Sequence, residues 1–265
     1  LKLISPSDWD NPRLPWNTLP EKRFLINHQN RIIYCPIHKV ASTTLKLQLI
    51  LTNNPNVVFD VNKDRPSEAK YCCSLATYSF EEANKLLQDS RYLKVVFVRN
   101  PWERLTSAYL NRIVTKGNLS GIVLTAYKDK ALPSNYLKSI TFRQFIDYIM
   151  VTDDNDLNIH WQPQYLYLGN QHFDFIGRYE NLATDFERLK QMTQLPSILI
   201  KENATQYCPQ AINSDKKFCD YSPNELRQLA GGFPSYEYFY PPDLIECVIK
   251  RYQKDVEMFG YSFNN

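Results

Sequence analysis

The chain has 265 residues, 43% hydrophobic and 14% aromatic, with a formal net charge of +3. That is enough apolar material to pack one large domain, and it excludes a disordered polymer. The small charge also excludes a whole-molecule field able to gather a polyanion, so such a partner must be met by a local basic patch.

Residues 1–30, rich in Pro, Trp and Asn, show little periodicity and read as an irregular lead-in. Residues 31–36 read as a strand. Thr43 to Thr52 then follow a helical pattern with Leu45, Leu49 and Ile50 along one side. A second helix is expected over Tyr78 to Gln88, with Ser79 as its N-cap and Glu82 completing a capping box. "YLKVVFV" (92–98) is short, continuous and β-branched, as a buried parallel strand is. The break "RNP" leads into a helix over Glu103 to Arg112, and 115–140 reads as a surface excursion. Thr141 to Met150 carries Phe142, Phe145, Ile146 and Ile149 at amphipathic spacing. "FDFIGRY" (173–179) is a further strand, followed by a helix near Thr184 to Thr193. Ser222 caps "PNELRQL" with Pro223 at its first position, and a last helix follows Pro242.

Strands alternating with helices predict an α/β fold, a P-loop-like three-layer sandwich around a mainly parallel sheet, with ligands at the carboxyl ends of the strands. One domain over 1–265 is expected. No apolar run approaches the ~20 residues of a membrane-spanning helix.

The six cysteines, at 35, 72, 73, 208, 219 and 247, form no CxxC or Cys/His cluster at zinc spacing, so no metal site is expected. Their even number is compatible with disulfides, and Cys208 with Cys219 is the easiest pair to bridge. The sequons Asn118-Leu-Ser and Asn203-Ala-Thr point the same way, toward a secretory glycoprotein.

Two strand-to-helix transitions carry chemistry. In "IIYCPIHKVASTTLKLQLI" (32–50), Ser42, Thr43 and Thr44 stand where a strand gives way to a helix. Backbone N–H groups and the helix dipole there favour an anion, and Lys39 adds a compact cation. The loop has no glycine and no GxxxxGK[ST] pattern, which disfavours nucleoside triphosphate hydrolysis but leaves room for a smaller anionic group. In "KVVFVRNPWERLTSAYLNRI" (94–113), Arg99 stands at a strand's carboxyl end with Ser107 two turns into the next helix. An arginine fork and a hydroxyl suit a second phosphate, although an ion pair of Arg99 with Glu103 also satisfies the pattern. Two anion sites at two strand ends fit a nucleoside 3′,5′-bisphosphate.

These residues carry a resemblance. "IYCPIHKVASTTLK" resembles the 5′-phosphosulfate loop of the Golgi carbohydrate sulfotransferases, in the branch of the chondroitin and dermatan 4-O-sulfotransferases and the glucuronyl 3-O-sulfotransferase. "FVRNPWERLTSAY" is similar to that branch's 3′-phosphate segment, "NIHWQPQYLYLGNQHFDFIGRYENLATD" to its His-Trp segment and following strand, and "YQKDVEMFGYSF" to its closing aromatic segment. The likeness runs over roughly residues 31–262. His38 stands where family loops usually have proline.

The resemblance implies 3′-phosphoadenosine-5′-phosphosulfate (PAPS) as sulfuryl donor, leaving adenosine 3′,5′-bisphosphate (PAP). Lys39, Val40, Ala41, Ser42, Thr43 and Thr44 would hold the 5′-phosphosulfate, and Arg99 and Ser107 the 3′-phosphate. Lys39 would also act in catalysis, with no metal required. Of the four histidines, His160 falls in the matching His-Trp segment and is the expected base, with Glu103 and Glu180 as alternative carboxylates. The expected acceptor is an anionic glycosaminoglycan, a chondroitin- or dermatan-type chain taking sulfate at the GalNAc 4-hydroxyl. Arg112, Lys116, Lys128 and Lys130 would attract it, and Lys216 and Lys217 lie in a second basic turn. A nucleic acid is not expected as a partner. The implied location is the Golgi lumen, with a type II anchor upstream, or outside the cell. Two other readings stay open: a small-molecule kinase, and a catalytically silent glycan-binding domain on the same fold.

Overall fold

The computed structural model describes residues 6–10, 19–53, 74–116, 140–196, 217–229 and 231–264. The chain divides into two compact units. The first comprises Leu1–Arg99 with Gln164–Glu202, the second Asn100–Pro163 with Asn203–Asn265.

The first unit holds a four-stranded sheet in the order β1 (Leu25–Asn27), β2 (Ile32–Cys35), β3 (Leu93–Val98), β4 (Phe175–Arg178). β2, β3 and β4 are parallel, with Tyr34 opposite Val95 and Val95 opposite Phe175, while β1 pairs antiparallel with β2. This is the expected α/β arrangement. The lead-in is not wholly irregular, however, for Pro20–Arg23 forms a 3₁₀ turn and β1 follows it. Three residues are too few for an alternating pattern to show, and β1 is set by pairing with β2 rather than by its own sequence.

Helices α1 (Pro6–Asp10), α2 (Ser42–Asn53), α3 (Phe80–Gln88) and, later in the chain, a helix over Leu182–Thr193 belong to this unit. Leu45 and Leu49 of α2 meet Phe186 and Leu189 of the later helix, over Ile32, Tyr34, Val95 and Phe97 of the sheet. The α3 capping box forms as read: Ser79 Oγ accepts from Glu82 N–H, and the Glu82 carboxylate accepts from Ser79 N–H. Gly177 lies opposite Phe97, and a Cβ there would stand 2.3 Å from the Phe97 ring. Glycine lets that ring lie across β4.

The second unit is helical. α4 (Pro101–Tyr109) opens on Asn100, whose Oδ1 accepts from the N–H groups of Trp102 (3.0 Å) and Glu103 (3.4 Å). It continues into wider π turns over Leu110–Thr115, past the expected end at Arg112. α5 (Phe142–Val151) carries the predicted apolar face buried, with a Thr141–Gln144 capping box. α6 is the first-unit helix Leu182–Thr193 already met. α7 (Pro223–Arg227), capped by Ser222, α8 (Pro242–Arg251) and α9 (Gln253–Phe259) complete the second unit. No helix among the described residues is long and apolar enough to cross a membrane.

Candidate active site

The turn after β2 is built without glycine and still takes left-handed backbone twice, at Lys39 (φ 67°) and Ala41 (φ 47°). Non-glycine residues avoid that region, so surrounding structure must impose it. Two things here do so. Ile37 and Val40 are fully buried and anchor the loop on either side of Lys39. Arg99, at the end of β3, donates from Nη1 to the Lys39 carbonyl at 3.0 Å.

The loop delivers the chain into α2. The first intrahelical bond runs from Leu45 N–H to the Ala41 carbonyl, so the N–H groups of Ser42, Thr43 and Thr44 have no intrahelical acceptor. No acidic residue occupies the first turn to neutralise the helix dipole. Lys39, Ser42 and Thr43 are half-buried and Thr44 is buried. A turn of donors without intrahelical acceptors, a positive dipole end and one lysine can hold a small tetrahedral anion.

Arg99 is 3% exposed and closely constrained. The fully buried Gln164 brackets its backbone: Arg99 N–H donates to Oε1 at 2.9 Å, and Gln164 Nε2 donates to the Arg99 carbonyl at 2.8 Å. The guanidinium lies over the face of Tyr179, 3.9 Å from the ring centre. Arg99 therefore turns to the loop and to Tyr179. Neither Gln164 nor Tyr179 was marked by the sequence reading. Their roles are tertiary, across 65 and 80 residues of chain, and "QPQ" and "GRYEN" carry no local signal for them. Cys35, just ahead of the loop, is buried and donates to the Tyr167 carbonyl. Burial pushes its thiol well up, with Glu21 adding to the effect, so it offers no thiolate for chemistry.

In the second unit, Ser107 is buried on α4. His160 is half-buried beside Trp161, and its Nδ1 lies 2.7 Å from Asn158 Oδ1, which also accepts the His160 backbone N–H at 3.0 Å. An acceptor at Nδ1 places the proton there and the basic lone pair on Nε2. Arg112 is half-buried in the π turns and Lys116 is exposed at their end. Lys217 donates to the Glu237 carbonyl at 3.4 Å. Lys128, Lys130 and Lys216, both sequons, and Cys72, Cys73 and Cys208 lie outside the described residues, while Cys219, the described half of the expected Cys208–Cys219 bridge, carries no disulfide. Among the described residues Cys35, Cys219 and Cys247 are free thiols, and no group of His, Cys, Asp and Glu is placed to hold a metal. Burial and the neighbouring Asp220 push the Cys219 thiol up to about 11.

The sequence pattern of the sulfotransferase family matches residues 22–262. The chain belongs to that family. Similar proteins include carbohydrate sulfotransferase 14 of Mus musculus, 31% identical over 96% of this chain and 65% of its own length. Carbohydrate sulfotransferase 11 of Mus musculus is 28% identical over 67% of this chain and 54% of its own length. Carbohydrate sulfotransferase 10 of Xenopus laevis is 22% identical over 90% and 67%. The chain thus spans about half to two thirds of the length of such relatives. No solved structure matches it. For a sulfotransferase, the glycine-free loop and the arginine behind it are the parts of this chain suited to an anionic donor.

Proposed function

We propose that this sulfotransferase moves a sulfuryl group from PAPS to a glycan hydroxyl, acting as one domain over residues 1–265. The carrying observation is the loop: two left-handed residues, an uncompensated helix start, and Arg99 fastened to the Lys39 carbonyl. The donor set fits a phosphosulfate, since every group it offers is a hydrogen-bond donor or a cation.

In this reading the backbone from Lys39 through Val40 and Ala41, with Ser42, Thr43 and Thr44, binds the 5′-phosphosulfate. Arg99 and Ser107 bind the 3′-phosphate. When bound, PAPS supplies an activated sulfuryl group whose transfer leaves charge on a phosphate oxygen. Lys39 and the start of α2 meet that growing charge, a fixed electrostatic stabilisation that needs no reorganisation at the moment of transfer. His160, with its lone pair on Nε2, takes the proton of the attacking hydroxyl.

For the acceptor we infer an anionic glycosaminoglycan, with the GalNAc 4-hydroxyl of a chondroitin- or dermatan-type chain as target. The printed names of the relatives as carbohydrate sulfotransferases support the glycan class. Arg112, Lys116, Lys128 and Lys130 are the proposed attracting cations. A lumenal Golgi location with an anchor upstream accords with this chemistry.

Transfer of radiolabelled sulfate from PAPS to a panel of desulfated chondroitin, dermatan, heparan and small neutral sugars tests the proposal. Label in chondroitin or dermatan, released on lyase digestion as an unsaturated disaccharide sulfated at the GalNAc 4-position, is expected. Binding of the polymer with no transfer to any acceptor would overturn the enzymatic reading. Transfer only to a small neutral sugar would overturn the acceptor.

A further inference from the structure

At the opposite end of the first unit's sheet, where the three parallel strands begin, lies an open groove of about 780 Å³, within the ~300–1,000 Å³ of ligand pockets. Its rim includes Arg31 just before β2, Tyr92 just before β3 and Asp174 just before β4. The six residues of β3 at ~3.3 Å each set this end ~20 Å from the strand ends that carry the loop. We propose that this groove is a second carbohydrate subsite, binding an anionic stretch of glycan remote from the reacting hydroxyl.

Three features support that occupant. The first is charge. Arg31, Arg91 and Lys94 line the groove against Asp174. Arg91 is already engaged with Asp89, through Nη2 at 2.6 Å and Nε at 2.9 Å. Asp174 is locked to the Lys94 backbone, its Oδ2 accepting the N–H at 2.8 Å and its own N–H donating to the carbonyl at 2.9 Å. Arg31 and Lys94 are therefore the cations the groove offers. Arg31 is exposed and sits at φ 52°, a costly conformation for arginine, with its carbonyl accepting Leu93 N–H at 2.8 Å.

The second feature is an aromatic face held in place. The Tyr92 hydroxyl lies 2.6 Å from His28 Nδ1, and the rings meet edge to face at 5.8 Å. His28 Nε2 in turn lies 2.8 Å from the Tyr78 hydroxyl, so the imidazole is pinned between two tyrosines. A rigid ring at a groove rim suits the apolar face of a sugar, since little conformational freedom is lost on contact.

The third feature is a polar wall suited to sugar hydroxyls. α3 ends at Gln88 and α6 at Thr193, both on this groove, so it receives two helix carboxyl termini. Helix-terminal carbonyls accept hydrogen bonds from hydroxyls, although that of Thr193 already accepts from Asn30 Nδ2 at 3.0 Å. A ligand with hydroxyls and spaced negative groups satisfies both halves of the groove. A uronate- or sulfate-bearing sugar chain is such a ligand. The inference rests on the glycan reading of the acceptor, but its test concerns binding alone.

The test is calorimetric titration of the whole chain with a chondroitin sulfate hexasaccharide, maltohexaose, sodium sulfate and a short DNA duplex, at fixed salt. The double variant Arg31→Asn/Lys94→Gln removes both cations, with asparagine chosen because it tolerates positive φ. Hexasaccharide binding should weaken about tenfold in the double variant, while its melting temperature and its affinity for PAP stay as in the wild type. Tyr92→Leu, which keeps the charges, should weaken the hexasaccharide about threefold. Equal hexasaccharide affinity in wild type and both variants would overturn the proposal. So would maltohexaose or sulfate binding as tightly as the hexasaccharide, a duplex binding more tightly, or no hexasaccharide binding at all. Failure of transfer with these binding results intact would count against the enzymatic reading and leave the groove standing.

Discussion

Arg99→Ala separates two jobs of one side chain, one observed and one proposed. The guanidinium holds the Lys39 carbonyl at 3.0 Å and thereby the loop, and it is also the proposed grip on the 3′-phosphate. A hydrogen bond to a charged group contributes ~1.5–3 kcal/mol, which is roughly 10- to 150-fold in affinity. The neutral-carbonyl bond is smaller in effect, since the loop keeps its buried anchors Ile37 and Val40. PAP should therefore bind about 100-fold more weakly to the variant, and AMP, which lacks the 3′-phosphate, no more than about threefold. In a thermal-shift assay, PAP at ~1,000 times the wild-type dissociation constant stabilises the wild type by ~4.1 kcal/mol. At the same concentration a 100-fold weaker variant gains only ~1.4 kcal/mol. Arg99→Lys should recover part of the loss, because the charge returns without the fork and without the flat contact on Tyr179. Equal losses for PAP and AMP would refute the 3′-phosphate role and show that Arg99 acts through the loop alone.

Lys39→Ala should lower turnover at saturating PAPS more than it raises the PAPS Michaelis constant, since the charge it meets grows during transfer; steady-state kinetics with a fixed acceptor check this. Ala41→Gly removes a left-handed strain of ~1–2 kcal/mol and adds ~0.5–1 kcal/mol of unfolded-state freedom, so a net stabilisation of ~0.5–1 kcal/mol is expected on denaturant melting. Asp89 is held at about 2 by its hydrogen bonds and ion pair with Arg91, below its ordinary 3.8. Its contribution to stability is therefore full above ~3.9 and fades as pH falls toward about 2, so the gap between wild type and Asp89→Asn should narrow across that window in acid melts.

Much of the scaffold was legible because it is local. The capping box at Ser79 needs only a hydroxyl and an acidic group three residues on, the Ser222 cap only its hydroxyl before Pro223, and strand β3 announces itself by its apolar run Val95 to Val98. The loop was legible as a strand-to-helix turn carrying Lys39 and three hydroxyls. Its shape was not, because the missing glycines suggested ordinary backbone, whereas Lys39 and Ala41 are driven left-handed by tertiary anchors. Gln164 and Tyr179 escaped for the same reason: they act on Arg99 only once β4 and the preceding turn have folded against β3. The extension of α4 into π turns is likewise invisible to a 3.6-residue pattern.

A loop whose left-handed turns fall on lysine and alanine instead of glycine begins from a narrower denatured ensemble. Glycine gives up more backbone freedom than any other residue when it is fixed. The disfavoured geometry is thus met once, during folding, and underwritten by the burial of Ile37 and Val40. By the time a donor arrives the receptor is already cast, and capture need not wait for a segment to order. Association should then proceed as a single encounter-limited phase at every donor concentration, with no slower step that saturates.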